Sequence, residues 1–212
     1  PMYGQHLQLN MGLSQEQCAR RIMAIADDKR HKFDKYELAP PQAAVLIPAR
    51  WKSTRFPGKP LADILGKPMV VRVAELAAQA VGINNVWVCA TDQRIADVVK
   101  EWGYQASPIY SNVPTGTDYI AQFAATLPHE IILNVQGDEP VLDPEDIIKV
   151  LDTKLKNPSV VINGMCKLRP TEDPSNPNIP KVVFGLDNRL VYMSRHSIPG
   201  SKRFDPAREY WK

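Results

Sequence analysis

The sequence predicts an α/β protein with a mostly parallel sheet, helices on both faces, and a small antiparallel hairpin lobe. Three observations predict it. Short continuous apolar runs of strand length alternate with longer runs of helical periodicity over residues 43–168. The helical runs between the strand-like ones are long enough to be crossovers, which indicates parallel strands with helices on both faces. The rhythm then breaks at "KVVFGLDNRLVYMSR" (181–195), where two β-rich runs flank "LDNR".

Each element follows from its own pattern. Residues 1–41 are polar; "QEQCARRIMAIADDKRHKFDKYEL" reads as one charged amphipathic helix, stopped by Pro40-Pro41, and is expected to be an N-terminal extension outside the main domain. "AAVLIP" (43–48) is a buried strand, "MVVRVAELAAQA" (69–80) a helix, with Gly66-Lys67-Pro68 as the turn ahead of it, and "NNVWVCATD" (84–92) a second buried strand. "QRIADVVKEWG" is helical, with Gly103 as its stop, and a short strand follows near 104–109. "GTDYIAQFAATL" reads as helix and "EIILNVQ" (130–136) as strand. "DPEDIIKVLDTKL" opens with acids and Pro144, as a helix N-terminus should. "SVVINGMCKL" (159–168) reads as another strand, and Pro174, Pro177 and Pro180 punctuate a rigid loop.

Composition excludes several classes. A chain of 212 residues with a net charge of +3 is not basic enough overall to indicate a nucleic-acid binder, so positive charge has to be judged locally. No run approaches the roughly 18 to 20 apolar residues that span a bilayer, and the start lacks a basic-then-apolar leader pattern, which leads to an expected cytoplasmic location. Cys18, Cys89 and Cys166 are far apart and odd in number, the pattern of reduced, packed thiols. His6, His31, His129 and His196 show no metal-ligand spacing, so no zinc site is expected.

Positive charge is concentrated in one place. "ARWKSTRFPGK" carries Arg50, Lys52, Arg55 and Lys59 directly after the first strand. In a parallel sheet the ligand crevice lies outside the carboxyl ends of the strands. "ATD" (90–92) and "QGDEP" (136–140) end two further strands at that same edge. Cations on one rim and carboxylates on another suit a nucleoside triphosphate with its divalent metal. The loop has neither the P-loop spacing nor the dinucleotide fingerprint, which argues against P-loop kinases and dehydrogenases.

"IPARWKSTRFPGKPLADILGKPMVVRV" resembles the N-terminal signature of the CMP-sugar synthetases, most closely the 3-deoxy-manno-octulosonate (KDO) cytidylyltransferases. "VCATDQRIADVVKEWGYQ", "PTGTDYIAQ", "IILNVQGDEPVL" and "NPNIPKVVFGLDNRLVYMSRHSIP" resemble that family's later blocks, in the same order. The resemblance covers about residues 43 to 200. It implies a Rossmann-like, nucleotide-diphospho-sugar transferase-like fold and a cytidylyltransferase domain over 42–212 that is C-terminally incomplete relative to the family.

The implied reaction is transfer of CMP from CTP to the anomeric hydroxyl of KDO or a related acidic 2-keto sugar, with Mg²⁺ as cofactor and pyrophosphate as product, for lipopolysaccharide or capsule precursors. By the same resemblance Arg50, Arg55 and Lys59 hold the triphosphate, Asp138 ligates the metal, and Arg50, Lys59 and Asp138 are catalytic. Thr117 and Asp118 lie near the nucleotide, while Gln136 and Arg195 contact the sugar. A full-length chain is implied to be a homodimer, with no nucleic-acid partner. The family's second metal-binding aspartate lies beyond Lys212, so a partial metal site is expected.

Tyr119 stands where the family's block usually carries arginine, and Pro180 interrupts the usual "NxVKVV" run; both leave the sugar open. A cytidylyltransferase for a sialate-like acid and a non-catalytic nucleotide-binding module remain as alternatives.

Overall fold

Strand β1 (Ala43–Ala49) organises the sheet, because every one of its hydrophobic positions has a buried surface to fill. It pairs in parallel with β4 (Val86–Ala90) on one side and β6 (Ile131–Asn134) on the other. The short β5 (Gln105–Ala106) adds outside β4, giving the all-parallel order β5-β4-β1-β6. The structure is a computed structural model and describes residues 43–52, 56–109, 115–200 and 209–212. The expected N-terminal helix, Cys18 and Arg55 lie outside these residues. The described residues fall into two compact units, 43–162 and 163–212.

Side chains alternate across the sheet with the two-residue period of a strand. Val45, Ile47, Val86, Val88 and Leu133 enter the larger core together with Val70, Val73 and Ala77 of α1 (Met69–Val81), Ile95 and Val99 of α2 (Gln93–Glu101), and Ile147 and Leu151 of α4 (Pro144–Lys156). Leu46 and Cys89 point the other way and pack with Tyr119, Ile120 and Phe123 of α3 (Gly116–Ala124). Helices thus cover both faces, as predicted. Each aliphatic side chain enclosed this way contributes about 1.5–3 kcal/mol.

The helix starts carry their own signals. Asp92 caps α2 by accepting from the Arg94 amide, Asp143 caps α4 ahead of Pro144, and Thr115 with Asp118 forms a reciprocal capping box on α3. The predicted turn before α1 is a small antiparallel pair, β2 (Asp63–Ile64) and β3 (Lys67–Pro68), turning through Leu65 and Gly66, both at positive φ. Arg72 of α1 donates to the Ile64 and Leu65 carbonyls and holds that turn.

In the unit 163–212, β7 (Lys181–Phe184) and β8 (Leu190–Ser194) form the predicted antiparallel hairpin. Residues 210–212 run beside it, with the Val182 amide donating to the Trp211 carbonyl and Leu168 to Tyr210. Lys181 is fully buried; its ammonium donates to the Asn176 and Arg195 carbonyls at 2.8 and 2.7 Å, and burial lowers its pKa.

Two expectations fail. The strand expected over 159–168 is irregular apart from a bridge at Lys167, and Val161 is 87% exposed. Asn163 and Gly164, poor strand formers, interrupt the run, and pairing with 210–212 begins only beyond them. As a result Cys166 is a free but exposed thiol rather than a packed one. Cys89 behaves as expected: it is buried, and burial pushes its pKa up to about 12 against the opposing Ser107 hydrogen bond.

Tyr119 ties the second core to the sheet edge. Its buried hydroxyl shares its proton between the Ala90 carbonyl at 2.7 Å and the Pro108 carbonyl at 2.5 Å, with the Ser107 hydroxyl 3.1 Å away. Tyr119→Phe keeps the ring but removes this donor. Urea unfolding followed by circular dichroism should show a loss of about 1–3 kcal/mol, the cost of a buried polar partner left unpaired; a change within about 0.3 kcal/mol would mean that water replaces the bond.

Candidate active site

Chain order runs outward from β1 through β4 to β5, then crosses back to β6 on the other side of β1. The carboxyl ends of β1 and β6 therefore diverge into different loops, and a crevice opens between them. A cavity of about 430 Å³ occupies this place. Pro48, Ala49 and Arg50 reach it from the end of β1, and Asn134, Gln136, Gly137 and Asp138 from the end of β6. Thr115, Gly116 and Thr117 add the start of α3, and Lys52 and Lys59 come from the basic loop.

The two charged rims meet. Lys59 Nζ lies 2.7 Å from Asp138 Oδ2, so the cation of the β1 loop and the carboxylate of the β6 loop form an ion pair across the cavity. Both groups stay more than a third exposed, which makes the pair weak in water and readily exchanged for ligand contacts. Arg50 lies beside α3: a Cβ built on Gly116 would sit 3.5 Å from Arg50 Nη2. A guanidinium next to the positive end of a helix is a favourable arrangement once an anion joins the two.

Close backbone approach fixes the far wall. A Cβ on Gly137 would lie 2.7 Å from the Pro48 carbonyl oxygen, inside any real contact. Glycine lets the β6 loop press against the end of β1 and thereby sets where Asp138 stands. Beyond Gly137, Gln136 Nε2 donates to Asn134 Oδ1 at 3.2 Å, pairing two amides at the mouth of β6.

Of the residues expected at the site, the structure brings together Arg50, Lys59, Thr117, Gln136 and Asp138. Asp118 does not line the cavity; its carboxylate accepts from the Thr115 amide at 3.0 Å and from the Thr115 hydroxyl, in the first turn of α3. Arg195 belongs to the unit 163–212, where its guanidinium donates to the Pro177 and Asn178 carbonyls. Asp92, in the "ATD" cluster, is committed elsewhere; its carboxylate caps α2 and grips Arg94 through two bonds of 2.8 Å, which hold it below the usual carboxylate range.

Asn134 and Thr115 were not anticipated, although both left a trace. Asn134 stands two residues before Gln136, hence on the same face of the strand. "TGTD" is a capping-box spelling that places Thr115 at a helix start.

Asp138 is the only carboxylate among the described residues lining the cavity, and no three His, Cys, Asp or Glu side chains cluster among the described residues. One carboxylate with nearby amide and hydroxyl oxygens fits Mg²⁺, which takes most of its shell from phosphate and water. It does not fit a structural zinc site.

The Gly137 contact is directly testable. Gly137→Ala should cost about 1–3 kcal/mol in denaturant unfolding and should weaken nucleotide binding, because the added methyl must push the β6 loop off Pro48. A variant of native stability and native affinity would show that the loop has slack.

Comparison with known proteins agrees with this geometry. The sequence family described as Cytidylyltransferase matches residues 44–210. A 3-deoxy-manno-octulosonate cytidylyltransferase of Geobacter sulfurreducens is 42% identical over 155 residues, 73% of this chain and 62% of that protein. The enzyme of the same description from Escherichia coli is 34% identical over 79% of this chain and 68% of its own, and that of Trichlorobacter lovleyi 40% identical over 74% and 63%. The chain thus spans 62% to 68% of the length of these curated relatives. Among solved structures, CMP:2-keto-3-deoxy-manno-octonic acid synthetase complexed with CTP superposes with a TM-score of 0.70 at 33% identity, covering 80% of this chain and 70% of that one. With the match extending through both units and the sheet carrying its cations and carboxylate at the switch point, the chain belongs to the cytidylyltransferase family.

Proposed function

We propose that this chain provides the nucleotide-binding and catalytic core of a CTP-dependent transferase that places CMP on the anomeric hydroxyl of KDO or a closely related acidic 2-keto sugar. The Lys59–Asp138 pair across the cavity carries this reading, because it sets a cation suited to phosphate and a carboxylate suited to a hard metal ion within one ligand's reach. In the reaction the sugar hydroxyl attacks the α-phosphorus, its oxygen bonds to phosphorus as its proton departs, and the bond to pyrophosphate breaks. Negative charge grows on the leaving group, so fixed cations do most of the work and no protein nucleophile is needed.

Arg50, Lys52 and Lys59 converge on the cavity and would take the triphosphate; Arg55, on the same loop, is proposed to join them. The start of α3, presented through Gly116 and Thr117, adds amide donors to the same anion. Asp138 would hold Mg²⁺, which when bound polarises phosphoryl oxygens and offsets charge on the pyrophosphate. Gln136, which donates to Asn134, is proposed to contact the sugar, and Arg195 to meet its carboxylate. No helix among the described residues is long and apolar enough to cross a membrane. A cytoplasmic role in lipopolysaccharide or capsule precursor synthesis and a dimeric full-length protein complete the proposal.

Titration calorimetry with CTP, UTP, ATP and GTP in the presence of Mg²⁺ tests the nucleotide part. CTP should bind best by a wide margin, and equal affinity for all four would show that only phosphates are read. Lys59→Ala should weaken CTP binding by about 1.5–3 kcal/mol, roughly ten- to a hundredfold. For the reaction, pyrophosphate release from CTP and KDO should fall by about two or more powers of ten in Asp138→Asn, measured in a chain extended to the length of its relatives. Undiminished release would remove Asp138 from the metal site.

A further inference from the structure

Lys59 opens a single 3-10 turn, Lys59–Leu61, and the described residues around it show what holds it in place. Trp51 packs on the main core at the base of the loop. The guanidinium of Arg94 lies 3.5 Å from the centre of its ring, a stacked cation–π distance. Gly58 presses on the same indole, since a Cβ there would lie 3.1 Å from Trp51 Cη2. Gly58 has φ 71°, a conformation that other residues enter at a cost, and its amide donates to the Trp51 carbonyl at 3.0 Å. Lys59 is the next residue, and the Leu61 and Ala62 amides close the turn after it onto Gly58 and Lys59. The turn that carries Lys59 is therefore anchored on Trp51, by its ring and by its carbonyl.

Arg94 is in turn oriented by its own helix start, although its side chain is 58% exposed. It stands in the first turn of α2 and is held by Asp92 through two bonds of 2.8 Å, while the Asp92 carboxylate also accepts from the Arg94 amide. That bidentate grip sets the plane of the guanidinium, and a flat guanidinium can lie on a flat ring. Neither Arg94 nor Trp51 lines the cavity.

We propose that Asp92, Arg94 and Trp51 form a clamp that positions Lys59 for the triphosphate, so that Arg94 governs CTP affinity without touching the nucleotide. The clamp rests on the phosphate-binding reading of Lys59 given above. It assigns a role to the "ATD" end of β4 that is structural and directed at the loop, in place of metal ligation.

Two readouts test it on the 212-residue chain. Hydrogen exchange followed by mass spectrometry should show faster exchange over 56–62 in Arg94→Ala than in the unchanged protein, with the core strands unaffected. Unchanged exchange there would overturn the clamp. Calorimetry with CTP and Mg²⁺ should then show affinity falling about three- to tenfold in Arg94→Ala. Arg94→Lys should recover little of it, because an ammonium cannot both stack and bind Asp92 in a bidentate manner. The deciding comparison is Arg94→Ala in a Lys59→Ala background. If Arg94 acts through Lys59, the second substitution adds almost nothing; if the same factor appears with or without Lys59, Arg94 supports the fold generally and the positioning role is wrong. Failure of the phosphate reading would appear separately, as Lys59→Ala alone leaving CTP affinity intact, and the clamp's role would fall with it.

Discussion

Everything in the unit 43–162 depends on β1 being sandwiched on four sides. It is hydrogen-bonded to β4 and β6 along its edges, covered by α1 on one face and by α3 on the other. A strand so enclosed cannot shift register by one residue without driving Leu46 into the space of Val45 and Ile47, so the register of its end is fixed. Pro48 to Arg50 extend from that fixed end, and the cavity inherits its geometry from them. The loop that follows supplies cations at a known starting point, while Gly137 brings the opposing carboxylate up against Pro48. The chemistry is thus set by packing made elsewhere, and the site's own polar contacts have only small corrections to make.

That division explains which features could be read from the sequence. The buried strands and amphipathic helices were legible because period two and period 3.6 are enforced by burial on both faces, and β1, β4, β6 and the four helices fall where those periods put them. The carboxyl-edge location of Arg50, Lys59 and Asp138 followed from strand direction alone. Hydrophobicity misled at 159–168, where "SVVIN" has strand composition but pairs with no strand among the described residues; composition reports what a surface would do if one were offered. The exposed Cys166 is a consequence of the same error.

What stayed hidden in the site was coupling between distant segments. Asp92 reads as a strand-end acid and therefore as a candidate for chemistry, yet its carboxylate is consumed by its own helix and by Arg94. Nothing in the spacing of Trp51, Gly58 and Arg94 announces that they meet, because stacking has no sequence period. Asp118 likewise reads as a nucleotide neighbour, but its short local bonds to Thr115 make it part of the helix start that presents Thr117. In each case a polar residue that looked available for a ligand was already serving the backbone, which is the commoner fate of Asp and Thr near helix ends.

The enclosed ammonium of Lys181 makes separate segments of the second unit depend on one another. A charged amine cannot enter an apolar interior ahead of the groups that receive it, since an unpaired buried charge costs several kcal/mol. The carbonyls of Asn176 and Arg195 lie on either side of it in sequence, one in the proline-punctuated loop and the other just past β8. With only one of them in place the amine is left short of a partner, so the loop, β7 and the end of β8 depend on one another through this one side chain.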